Sequence, residues 1–172
     1  MGINITYYIV NENDIEKLKA KDLDFETYLS DHVTKIHEYK GFWFKHNVFD
    51  QGIKSWNPLI ELICCLDTSS NNVCRKILNE NNLNPDSVLG SNFYLIKPST
   101  VVSIFEELKK ISLFDIELAT ENPELIAKVV NAPGYHMYGI KNKQSMVIEF
   151  MELINAFYTA QQGKKAIVIN LG

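Results

Sequence analysis

The sequence predicts an α+β fold: a small mixed sheet that includes an N-terminal and a C-terminal strand, packed against several helices, with a long C-terminal helix before the last strand. Three observations carry this reading. ITYYIV (Ile5–Val10) and AIVINL (Ala166–Leu171) are short runs rich in β-branched residues, the first ending at the polar Asn11-Glu12-Asn13. From about Lys143 to Gln162 the residues Met146, Val147, Phe150, Leu153, Ile154, Phe157 and Tyr158 recur at three- and four-residue spacing, the period of a helix with one buried face. Between the terminal strands lie mostly helical patterns, so the economical burial brings both chain ends into one sheet under the helices. At 172 residues without repeats or a linker of low complexity, the chain reads as a single domain, 1–172.

The elements follow in order. After the first strand, Asn13 or Asp14 caps a short helix through Leu18, and FETYLSDHVTKIHEY continues helical with Phe25, Tyr28, Leu29, Val33 and Ile36 on one face. Asn57-Pro58 opens a helix through LIELICCL, because Asn accepts from unpaired amides and Pro has none to leave unpaired. NNVCRKILNEN forms a second helix with Val73, Ile77 and Leu78 on one side, and NFYLIK forms a short strand. Pro98 opens STVVSIFEELKKI, with Val101, Ile104, Phe105 and Leu108 as its stripe and Glu106 to Lys110 as an i,i+4 pair. Asn122-Pro123 opens ELIAKVV, which closes before APGYHMYGI, and Gly163 supplies the left-handed stop of the closing helix.

Composition narrows the function classes. Lys+Arg 17 against Asp+Glu 21 gives a net charge of -4, an acidic chain with no basic field for a nucleic acid. LIELICCL contains a charge and is far shorter than the roughly 18 to 20 apolar residues that span a bilayer, so no membrane span is expected. MGINITYYIV has no basic n-region and no long apolar stretch, which predicts cytoplasmic residence; its match to the myristoylation pattern is short and degenerate beside the strand reading. Cys64, Cys65 and Cys74 lack the knuckle spacing of a zinc site and read as small buried hydrophobes in a reducing compartment.

Two stretches concentrate side chains that carry chemistry. In GFWFKHNVFDQG (Gly41–Gly52), a helical reading puts Phe42, His46 and Phe49 on one face with Trp43 beside it, the pattern of a core helix whose imidazole finds one buried partner. The same residues could line a ligand pocket through Trp43 and His46. In APGYHMYG (Ala132–Gly139), Tyr135, His136 and Tyr138 join a titratable ring to two phenols in a loop between glycines, a set able to hold an anion or move a proton. His32 and His37, interleaved with Asp31, Lys35 and Glu38, read as solvated surface. No Ser/His/Asp order, Gly-rich phosphate loop, HExxH or paired-carboxylate motif accompanies them, so catalytic, metal and cofactor roles are expected for none.

Three blocks resemble the YfbM-like family, small bacterial domains of unknown function. FMELINAFYTAQQGKKAIVINLG (Phe150–Gly172) is similar to the family's closing helix, glycine and strand, and FYLIKPSTVVSIFEEL (Phe93–Leu108) to its strand, proline and helix. The aromatic stretch resembles a family segment built as Trp-x-x-x-His, with Phe42 in the tryptophan place and His46 in the histidine place. Phe42 and Asp50-Gln51 depart from the family's usual tryptophan and small Thr-Gly turn. The resemblance implies an α/β-type fold and cytoplasmic residence, and it names no reaction or cofactor.

The leading expectation is a non-catalytic cytoplasmic domain that binds a protein partner or small ligand. One rival is an enzyme or small-molecule-binding domain with a pocket near Trp43, His46 and the Tyr135 to Tyr138 loop. A second is an immunity-type protein whose acidic surface masks a basic toxin. His46→Gln separates packing from function. A packing histidine loses about 1 to 3 kcal/mol of stability on this change, with binding lost only as the fold is lost. A variant that melts like the parent yet no longer binds assigns His46 to a site, and a melt and a binding assay on one sample decide between them.

Overall fold

A computed structural model describes residues 5–19, 36–39, 42–45, 48–51, 56–77, 93–132, 140 and 143–171. The two terminal runs meet as the sequence predicts. Strand β1 (Ile5–Val10) pairs along its whole length with the last strand, β6 (Ala166–Leu171), from Ile5 opposite Leu171 to Val10 opposite Ala166. On the other edge of β1 lies β4 (Val48–Gln51), and on the other edge of β6 lies β5 (Phe93–Ile96), giving the order β4-β1-β6-β5. All three pairings are antiparallel, so the sheet is not mixed as expected. Strands β2 (Ile36–Tyr39) and β3 (Phe42–Lys45) form a separate antiparallel pair.

Strand register explains which residues enter the core. Tyr7 stands opposite Phe49 on one side and Ile169 on the other, and Ile169 stands opposite Tyr94. Side chains alternate along a strand, so Ile5, Tyr7, Ile9, Ile167, Ile169 and Ile96 share one face, and all six belong to the buried cluster. Val168 points the other way and is also buried, flanked in register by Tyr8 and Leu95.

The helices are α1 (Glu12–Lys19), α2 (Trp56–Leu66), α3 (Pro98–Leu108), α4 (Leu113–Ala119), α5 (Pro123–Asn131) and α6 (Lys143–Gln162), with a 3₁₀ turn over Val73–Ile77. Helix α6 lies across β4, β1 and β6 and packs against α2, α3 and α4; α3 also reaches β6. The core-facing stripe of α6 is Met146, Phe150, Leu153, Ala156, Phe157 and Ala160. Val147 and Ile154 pack at its margins, whereas Tyr158, expected in the stripe, is half exposed.

Several helix ends differ from the expectation for local reasons. The first helix is capped by Asn11, whose carbonyl accepts from Asp14 and Ile15 N–H, rather than by Asn13 or Asp14. Helix α3 opens at Pro98 as expected, but its ion pairs run i,i+3, Lys109 to Glu106 and Lys110 to Glu107, rather than Glu106 to Lys110. Helix α5 opens as expected, with Asn122 Oδ1 accepting from Glu124 and Leu125 N–H at 2.9 and 3.2 Å. At the end of α6, Lys165 N–H donates to Ala160 C=O at 2.8 Å and Lys164 N–H to Gln161 C=O at 3.1 Å, the Schellman pattern. In that pattern Gly163 is the last half-helical residue. The left-handed position falls on Lys164, with φ 51°, and not on the glycine.

Two further departures are larger. Ile36–Tyr39 is a strand rather than the end of a helix beginning at Phe25, and residues 25–35 of that expected helix lie outside the described set. FWFK and VFDQ are strands as well, so the face shared by Phe42, His46 and Phe49 does not exist. Aromatic and β-branched residues prefer the pleated sheet, and here that preference outweighs a three- and four-residue coincidence. Of the expected helix NNVCRKILNEN, Val73–Ile77 is a 3₁₀ turn, and residues 78–81 lie outside the described residues.

The inward stripe of α6 gives a direct test. Phe150 and Phe157 are 1% and 0% exposed. Replacing either by Ala is expected to cost about 3 to 5 kcal/mol, a large part of an ordinary domain's stability. A denaturant melt that moves by less than roughly 1 kcal/mol contradicts the burial, since changes of that size are typical of surface positions.

Candidate functional site

The sequence nominates Trp43, His46, Tyr135, His136 and Tyr138. The structure places Trp43 in β3, opposite Glu38 of β2 in the hairpin register. His46, Tyr135, His136 and Tyr138 lie outside the described residues. The nominated residues are therefore not assembled by what is described, and the polar chemistry that is described gathers elsewhere, where α2 ends.

Asp67, just past the end of α2, organises the turn that follows. Its Oδ1 accepts from Ser69 N–H at 2.8 Å and its Oδ2 from Cys74 N–H at 2.7 Å. Ser69 Oγ accepts from Val73 N–H at 2.9 Å, which begins the 3₁₀ turn. Asn72 stands in the left-handed region with φ 43°, a conformation Asn tolerates better than most residues, and its Nδ2 donates to Cys64 C=O at 2.8 Å. One turn earlier on α2, Glu61 is buried and takes Arg75 Nη1 on both carboxylate oxygens at 2.8 Å. Its side chain is 7% exposed against 43% for Arg75, so the guanidinium bridges a buried acid to solvent.

This network encloses the cysteines. Cys64 and Cys74 are buried, Cys65 is half-buried, and all three are free thiols. Burial pushes the Cys64 thiol up to about 12, and burial followed by the neighbouring Asp67 carboxylate pushes Cys74 up as well. Thiolates are the reactive form, so these two are packed as neutral hydrophobes, as the sequence predicts.

A cleft of about 230 Å³ opens beside the turn, lined by residues including Asp67, Thr68, Glu107, Lys110 and Asp115. Its carboxylates are engaged within the fold. Asp67 takes the two backbone amides, Glu107 takes Lys110 Nζ at 2.6 Å, and Asp115 takes Ser112 N–H and Oγ at 2.7 Å each. A more open groove of about 430 Å³ is lined by Asn11, Glu12, Asn13, Asp14 and Lys164. Among the described residues no group of three or more His, Cys, Asp or Glu converges as a metal site, and no helix is long and apolar enough to cross a membrane.

The surface above the cleft is of another kind. Helix α4 buries Ile116 and Ala119 and leaves Leu113, Phe114 and Leu118 to solvent at 43%, 62% and 50% exposure. Acidic side chains border the patch. Asp115 is pinned by Ser112 in a capping box, and Glu117 and Glu121 face Lys143 at 3.8 and 2.9 Å. The sequence reading missed α4. Ser112-x-x-Asp115 before an apolar pair is the signal that finds it, as Asp67-x-Ser69 is for the turn.

The Asp67 turn predicts a pH dependence. Partial burial alone raises its carboxyl, but the hydrogen bonds from Ser69 and Cys74 outweigh this and hold it below the usual carboxylate value. A depressed folded-state value adds stability above the unfolded value of about 3.9, and that stability is lost as pH falls through the folded value. Asp67→Asn, which replaces one acceptor by a donor, is expected to be less stable by about 1 to 3 kcal/mol at neutral pH. The gap between the two proteins narrows on acidification into that range; a gap constant with pH contradicts the assignment. Thermal melts of both proteins across a pH series make the measurement.

No curated protein and no solved structure matches the chain. A family model described as "Domain of unknown function (DUF1877)" matches residues 1–169. With nearly its whole length covered by that model, the chain belongs to the DUF1877 family.

Proposed function

We propose that this chain is a non-catalytic cytoplasmic interaction domain whose partner is a protein. The observation that carries the reading is the apolar patch of α4, where Phe114, at 62% exposure, stands with Leu113 and Leu118 on a helix that already has a buried face. Single exposed apolar residues are ordinary, but a contiguous set rimmed by polar groups is characteristic of a binding surface. Aromatic residues at the centre with charge at the edge is also the anatomy of protein interfaces.

The rim bears on the kind of partner. Asp115, Glu117, Glu121 and Glu124 surround or adjoin the patch, in a chain of net charge -4. Lys143 offsets part of this charge through Glu117 and Glu121. A partner with an apolar groove and a basic border fits, since such complementarity speeds encounter and suppresses wrong partners. The YfbM-like resemblance, itself without an assigned reaction, agrees with a binding role. The neutral thiols and engaged carboxylates around the Asp67 turn support the same reading, because their polar groups serve the fold.

Phe114→Glu tests it. Affinity capture from the source cell with the parent chain as bait is expected to retain a protein partner, and the variant is expected to lose it. The loss should be at least about tenfold, the size of one moderately important interface side chain. Because Phe114 is exposed, the variant's melt should stay close to the parent's. Equal capture by parent and variant overturns the proposal, as does a parent chain that retains no protein.

A further inference from the structure

We draw no further inference here: the strongest candidate, the cleft between the Asp67 turn and the facing ends of α3 and α4, is a cluster of carboxylates that the fold itself engages, and nothing in the structure shows what would occupy it.

Discussion

The contact between Tyr7 and Phe157 joins the first strand of the fold to its closing helix. Tyr7 lies at the centre of β1 and Phe157 near the end of α6, with ring centroids 6.4 Å apart and planes at 62° in an edge-on arrangement. Tyr7 is fully buried, and burial first, then the charge of Glu149, holds its phenol in the protonated form. Strand β6 follows α6 through a single tight turn and pairs with every residue of β1. Where α6 lies on the sheet therefore also decides where the last strand can pair. Most other contacts of the described core depend on this: α2, α3 and α4 all pack against α6, and β4 extends the sheet beneath it.

Polar chemistry in the described structure serves this arrangement. Asp67 closes the turn after α2, Glu61 and Arg75 tie that turn to the helix, and Asn72 accepts a strained backbone to reach Cys64 C=O. Such residues resemble catalytic ones in composition, an acid, a thiol and a base within a few ångströms. Their burial and bonding remove the resemblance. A thiol near 12 is not a nucleophile at neutral pH, and a carboxylate held by two backbone amides is a poor proton acceptor. Beside the polar residues of the described surface, Leu113, Phe114 and Leu118 of α4 offer other molecules an apolar patch.

The parts of the fold that were legible in the sequence are those where one signal acts alone. ITYYIV, AIVINL and the α6 stripe carry long unopposed patterns, and their bounds come out closely. Asn122-Pro123 and Pro98 mark helix starts because proline restricts the backbone before any packing acts. FWFKHNVF failed because its aromatic spacing satisfies a helix while its composition favours a strand, and pairing across β2 and β3, invisible in a local window, settles the matter. Lys164 took the left-handed turn because hydrogen bonds to Ala160 and Gln161 fix that position one residue after the glycine. The candidate surfaces were the least legible. Phe114 falls in a helix the sequence reading missed and Ile148 lies outside the stripe it named, and only the placement of Ile116 and Phe150 against the core shows that they point outward. Of the nominated site, Trp43 alone falls on a described strand, and it lies in a hairpin rather than on the expected helix.

Helix α6 brings both themes together. Its inner stripe anchors the terminal strands, and its outer row adds Ile148, Met151 and Tyr158 on the opposite side. On that outer side these three stand among the polar Gln144, Asn155 and Gln162, and the fold covers only the inner side. The usual remedy, a lysine or glutamate at one of these outer positions, would cost the fold little, because exposed substitutions generally change stability by less than about 0.5 kcal/mol. Stability within the single chain therefore does not explain why the row is uncharged. The contact of Phe157 with Tyr7 sets the inner side of α6 against the sheet, which turns that row outward. Side chains carried on a helix packed along its whole inner side lose less freedom on any contact than side chains on a loop, because the backbone beneath them is already ordered.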